Sequence, residues 1–346
     1  MYHQTYGFRE EPFRLSPDHT LAFQHRGYKK ARAYMAYAFM RAEGFVMVTG
    51  RPGTGKTTLI GALVEDLAKE RVHTANLVCS QLEADDLLKM VAYEFGIDLS
   101  ISDKGTLLQH LSRQLQKWHR EGRRALLIVD EAQDLSITAM EELRLLTNMQ
   151  VDRRPLLQIF LLGQPELREL ILSPALEQVH QRIVAASHLQ PLESDETEAY
   201  IRHRLLEVGW KGDPAISKAV YPLVFRFSEG VPRRINLICS RLLLHGSVED
   251  LHRIGAQDVR EVISELQGES LAVAQFTEED FRVEDVYETG LQPVQPAEGA
   301  SGAAVSAGGA TNDGSSDGDG DGDSDGDSND KKASWRRRVR RQNRTN

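Results

Sequence analysis

Apolar positions along the chain follow two alternating rhythms. Residues 44–49, 125–129 and 156–162 are short apolar, β-rich runs bounded by polar or turn-forming residues, and 73–79 reads as a further strand. Between them, residues 82–95, 107–119 and 140–149 repeat apolar side chains at helical spacing; Leu107, Leu108, Leu111, Leu115 and Trp118 fall on one face of such a helix. Strands that are apolar throughout are buried on both sides, so their alternation with helices predicts a parallel sheet covered on both faces. From about Ser194 the rhythm becomes purely helical, over residues 196–208, 214–228, 232–245 and 256–266. Gly209, Gly230, Gly246 and Gly255 punctuate these helices, and Ser194 and Asp195 suit the cap of the first.

Beyond about Leu271 the folded pattern stops. An Ala/Gly/Ser-rich stretch leads into alternating acid and glycine from Asp317 to Asp323, and the chain closes on a basic cluster from Lys331 to Arg344. The acidic run invites a calcium-loop reading, but an EF-hand needs a glutamate at about its twelfth position. Counting from Asp317 gives Ser328, and from Asp321 gives Lys332. A flexible tail carrying both charges is the expectation, its basic end able to touch nucleic acid, anionic lipid or its own acidic run. The expected divisions are an N-terminal segment over 1–30 packing on the nucleotide site, an α/β domain over 31–193, a helical domain over 194–268 and a disordered tail over 269–346.

Composition narrows the class. The chain has 346 residues, 40% hydrophobic and 27% charged, with a net charge of −9 that gives the body no basic bias toward nucleic acid. Cys79 and Cys239, its two cysteines, each sit in an apolar stretch and read as buried reduced thiols. No charged-then-apolar leader opens the chain and no apolar run reaches the roughly 20 residues of a membrane span, so a cytoplasmic protein is expected.

The chemistry is carried by Gly50-Arg51-Pro52-Gly53-Thr54-Gly55-Lys56-Thr57. This matches the phosphate-binding loop G-x-x-x-x-G-K-[ST], and the strand before it and the helix after it supply the required context. Backbone N–H groups from Gly50, Pro52 to Gly55 and onward to Thr58 frame the phosphates, excepting the proline, whose fixed ring shapes the loop. Lys56 would reach the β- and γ-phosphates of ATP, and Thr57 would hold Mg²⁺. The 125–129 strand ends in Asp130-Glu131-Ala132-Gln133. Asp130 would join Thr57 on Mg²⁺, and Glu131 would orient and deprotonate the attacking water. The glutamate favours hydrolysis over mere nucleotide binding.

An α/β nucleotide domain followed by a small helical bundle is the layout of an AAA+ ATPase, and three further positions fit that reading. Gln164, after the 156–162 strand, would sense the γ-phosphate or the lytic water. Arg182, just before the last expected strand, would project into a neighbouring subunit's site as an arginine finger, which implies a homo-oligomer. Arg233, with Arg234 as the alternative, would couple closure of the helical domain to the phosphates.

The opening Tyr6-Gly7-Phe8-Arg9-Glu10-Glu11-Pro12-Phe13-Arg14-Leu15-Ser16-Pro17-Asp18 resembles the signature of ExeA/GspA-type secretion ATPases. The resemblance runs over about residues 1–268, through Gly163-Gln164-Pro165-Glu166-Leu167, Gln181-Arg182-Ile183 and Gly230-x-Pro232-Arg233-Arg234-Ile235-Asn236. The middle motifs are shared with transposition ATPases. Phe8, Pro12 and Phe13 would either shield the adenine base or staple the segment to the domain surface. Longer relatives continue into a membrane span and a wall-binding domain; the acidic tail here looks more like the shorter members associated with exosortase and exopolysaccharide clusters. The resemblance implies an ATPase assisting an envelope secretion or exopolysaccharide export system, peripheral at the inner membrane through protein partners, with DNA as the lesser alternative partner.

Overall fold

The computed structural model describes residues 2–287, apart from 17, 19, 42–43, 69–70, 79–81, 98–102 and 270–275. Cys79 and the charged tail lie outside the described residues. Five strands, β1 (Phe45–Gly50), β2 (Val72–Val78), β3 (Arg124–Asp130), β4 (Leu157–Gly163) and β5 (Ile183–Leu189), pair in the order β2-β3-β4-β1-β5, every pair parallel. All residues of β1 and β4 are buried, as central strands of a two-sided sheet must be. Alternate side chains enter different cores: Phe45 and Met47 of β1 join one cluster, Val46 and Val48 the other.

Helices α1 (Arg26–Arg41) and α2 (Lys56–Ala68) cover the second face, and α3 (Ala84–Glu94), α4 (Lys104–Arg120), α5 (Ile137–Leu146) and α6 (Pro165–Ile171) the first. Local chemistry starts them: Asp103 accepts from the Gly105 and Thr106 N–H groups ahead of α4, Ser136 from Ala139 ahead of α5, and Pro165 opens α6 where no N–H is needed. The sequence reading passed over α1. Its inward residues Tyr28, Ala31, Met35, Ala38 and Phe39 are buried, but Tyr34, Tyr37 and Met40 point outward and blur the one-faced pattern.

The helical region comprises α7 (Ser194–Glu207), α8 (Val220–Ser228), α9 (Pro232–Val248) and α10 (Ala256–Gly268) around a core of its own. Two expectations need correction. The helix expected from Pro214 begins at Val220, because Ala215–Ile216 instead pairs with Arg253–Ile254 as a two-stranded parallel ribbon and the Ser217 hydroxyl accepts from Ala219 N–H. The folded region also extends past residue 271. Phe281 is buried in the helical core, Arg226 and Arg260 pair with Asp280 and Glu278, and Ser217 bridges Tyr287. Two phenylalanines, Phe276 and Phe281, anchor this otherwise acidic stretch.

The N-terminal segment belongs to the same core. Tyr2, Tyr6, Phe8 and Phe13 are buried among the helices. Arg9 N–H donates to the Val208 carbonyl at 2.9 Å, Arg204 Nε to Pro12 O at 2.6 Å, and Asn236 Nδ2 to Arg14 O at 2.9 Å.

Candidate active site

In a parallel α/β sheet, ligands bind outside the carboxyl ends of the strands. Here β4 lies between β1 and β3, so three neighbouring carboxyl ends deliver the phosphate loop after Gly50, Asp130-Glu131 after β3 and Gln164 after β4. Sequence separations of up to about a hundred residues thus close into one site.

Gly53 and Gly55 have φ of +82° and +95°, a backbone that side-chain-bearing residues rarely adopt. Lys56 is 6% exposed, and its Nζ donates to the carbonyls of Gly50 at 2.9 Å and Arg51 at 3.4 Å. Burial lowers its pKa from the ordinary lysine value, while the carboxylates of Glu131, Asp130 and Glu166 pull the other way. A buried ammonium with only carbonyl partners is suited to a polyanion. Thr57 Oγ1 donates to Asp130 Oδ2 at 3.2 Å, which brings together two oxygen donors of the kind Mg²⁺ prefers.

Glu131 adopts a left-handed backbone, φ 53° and ψ 40°. Such a conformation costs roughly 1–3 kcal/mol and persists where surrounding contacts enforce it. Those contacts are amides. Gln133 Nε2 donates to Glu131 Oε2 at 2.9 Å, Gln164 Nε2 reaches the same oxygen at 3.4 Å, and Gln164 N–H donates to Gln133 Oε1 at 3.0 Å. Gln133 therefore braces Glu131 and Gln164 together. A Cβ at position 163 would lie 2.6 Å from Gln133 Oε1 and 2.9 Å from Leu167 Cδ2, so a side chain there would displace the amide. Gln133 closes the strand-end motif, but the bond that defines its part links two strand ends and leaves no mark in either segment alone.

A cavity of about 560 Å³ opens over the loop. Pro52 to Thr58 and Glu131 line one part; Leu21, Phe23, His25, Tyr28, Tyr200 and Asn236 line another. Of the alternatives for the N-terminal segment, Phe8 and Phe13 take the packing role in the helical core, and later residues of the segment face the cavity. Burial pushes the His25 imidazole below its ordinary pKa, opposed by Glu196 at 3.8 Å. Arg233 lines the cavity too: its N–H donates to Gly53 O at 3.2 Å, and a Cβ on Gly53 would lie 2.6 Å from Arg233 Cβ. Arg234 turns instead toward Glu229, 3.6 Å away, and the ring of Phe227.

Arg182 is not part of this constellation. It precedes β5 at the opposite, amino end of the sheet, where its carbonyl accepts from Phe45 N–H. A six-residue strand puts that end about 20 Å from the loop. Its guanidinium donates to Thr147 Oγ1 at 2.6 Å and Arg144 O at 3.3 Å, at the carboxyl end of α5.

Strand order, phosphate loop and converging acidic and amide groups define a P-loop AAA+ ATPase. A family model described as an AAA domain matches residues 40–171. More particularly, the chain is similar to General secretion pathway protein A of Aeromonas hydrophila, 36% identical over 274 residues, making it an ExeA/GspA-like AAA+ ATPase. That alignment covers 78% of this chain and 49% of the relative, so the chain spans about half the relative's length. ATP-dependent target DNA activator B of Escherichia phage Mu is 34% identical over 110 residues, 30% of this chain and 31% of that protein. Among solved structures, the Aeropyrum pernix ORC1 protein in complex with DNA shares the fold at 14% identity, with a TM-score of 0.56 over 74% of this chain and 69% of that one. Among the described residues no helix is long and apolar enough to cross a membrane.

Proposed function

We propose that the protein hydrolyses ATP with Mg²⁺ and, as an oligomer, assists an envelope secretion or assembly system. The observation that carries hydrolysis is the braced Glu131 beside the phosphate loop. Lys56 would exchange its carbonyl partners for phosphate oxygens. Thr57 and Asp130 would hold Mg²⁺, which when bound neutralises charge developing on the phosphates. Glu131, with Oε2 held by both amides, would use Oε1 to take a proton from water as the water oxygen attacks the γ-phosphorus and the bond to the β-phosphate oxygen breaks. Gln164 would position that water. Arg233, tied to Gly53 through its own backbone, would carry the phosphate state to the helical region.

The secretion role is supported by the long match to General secretion pathway protein A. Exopolysaccharide export is the narrower version of the same reading. The trans role of Arg182 is supported by its place at the far sheet edge, from which it cannot reach its own site. A division near residue 193 is supported by the change from sheet-based to helical cores, while helix α1 runs across residue 30 and Phe281 carries the helical core past residue 268. A DNA-associated ATPase is the second reading, favoured by the shorter match to the phage target DNA activator. The test is ATPase rate per subunit against protein concentration, for parent and Arg182→Ala, with and without DNA. A rate that climbs with concentration and collapses in the variant supports shared sites. A concentration-independent rate insensitive to Arg182 sinks the oligomeric mechanism, and strong stimulation by DNA moves the assignment to the second reading.

A further inference from the structure

Helix α1 shows solvent a basic and aromatic face. Arg26, Lys29, Lys30, Ala33, Tyr34, Tyr37, Met40 and Arg41 are all exposed. At 100° per residue they occupy one arc of about 140°. The sixteen residues of α1 include no Asp or Glu, in a chain whose net charge is −9. The large side chains stand well out: Tyr34 is 47% exposed, Tyr37 60% and Met40 78%. They are interleaved with cations rather than grouped apart from them. Lys30 Nζ lies 5.7 Å from the Tyr34 ring centre, and Arg41 Nη1 donates to Tyr37 OH at 3.4 Å. Nearby carboxylates are paired: Asp66, itself part-exposed, with Arg32, and Glu196 accepts from the Arg26 N–H beside His25.

We propose that this face of α1 docks the protein on an anionic phospholipid surface. The residue types fit an interface between water and hydrocarbon. Tyrosine presents an apolar ring with a polar tip, methionine an unbranched apolar chain, and lysine and arginine snorkel their charges toward headgroup phosphates. The shape fits as well. Proteins that stack nucleic-acid bases on aromatic rings run them along a basic groove; this face is the outside of one helix, which meets a plane. Arg26, Lys29 and Lys30 supply the charge complementarity, each cation near such a surface being worth about 1 kcal/mol. The face is separate from the cavity over the phosphate loop, to which the same helix contributes Tyr28 from its buried side.

The test uses the full chain in flotation with vesicles of phosphatidylcholine alone and of phosphatidylcholine mixed with phosphatidylglycerol. The parent is expected to float with the mixed vesicles and not with the neutral ones. Lys29→Gln with Lys30→Gln should weaken that binding about thirtyfold, the fold-change equivalent of two cations. Tyr34→Ser with Tyr37→Ser should weaken it comparably, at unchanged ATPase rate without vesicles. Binding by the parent that both double variants retain would assign it to the basic tail and overturn the proposal. Failure of the parent to bind either vesicle would do so too, as would loss in the variants of single-stranded DNA binding or of self-association in place of vesicle binding.

Discussion

Replacing Gln133 with leucine tests the amide brace at Glu131. The substitution keeps approximate volume and removes both polar ends. Two bonds go: the 2.9 Å donation to Glu131 Oε2 and the 3.0 Å acceptance from Gln164 N–H. A hydrogen bond to a charged group contributes about 1.5–3 kcal/mol, and a half-buried N–H left without an acceptor costs about 1–3 kcal/mol. Some of this falls on folding and some on the transition state. If about half acts on the reaction, the loss is about 1.3–3 kcal/mol, or roughly ten- to a hundredfold in kcat. Gln133 does not line the cavity, so KM for ATP should stay within about twofold, the pattern of a residue whose contribution is made in the transition state. Steady-state ATPase assays on Gln133→Leu, with fluorescence titration of nucleotide binding, read both quantities. Gly163→Ala, whose methyl would press on Gln133 Oε1 and on Leu167, should reproduce the fall in kcat. A kcat equal to the parent's in Gln133→Leu, or a raised KM with kcat unchanged, would refute the brace.

Further outcomes follow from other contacts. Arg182→Ala removes both bonds at the end of α5 and should lower stability by about 1–2 kcal/mol in chemical denaturation, whatever it does to turnover. Gly53→Ala forces a side chain into a left-handed turn and against Arg233, and should weaken ATP binding at least tenfold by isothermal titration. His25 has its pKa lowered by burial, so the unfolded chain binds the proton more tightly than the folded one. The contribution is present above about pH 6.5 and is lost as pH falls through the folded value. Melting temperature should therefore fall on acidification below that point, and less steeply in His25→Gln.

The sequence was most informative where chemistry is local. The phosphate loop, Asp130-Glu131 and Gln164 are short motifs at strand ends, and a parallel sheet brings strand ends together; four of the five strands of the AAA+ sheet fall on segments legible in the sequence, while β5 alternates half-buried and exposed side chains and marks itself less clearly. Where the reading failed, neighbours distant in sequence decided the outcome. Helix α1 was hidden by its outward Tyr34, Tyr37 and Met40. The 214–228 helix lost its first turn to pairing with Arg253–Ile254. Phe281, with few apolar residues around it in sequence, finds its partners in the helical core. The Gln133 brace and the ties of Arg204 to Pro12 and Asn236 to Arg14 depend on contacts across 31 to 222 positions, which no local pattern encodes.

The central claim is that Glu131 takes the proton from the attacking water at this site. Single-turnover hydrolysis of ATP by Glu131→Gln, measured beside equilibrium ATP binding, bears on it most directly. Binding within about threefold of the parent with hydrolysis slowed at least a hundredfold is the result expected for loss of a general base. Hydrolysis at the parental rate with binding intact would contradict it.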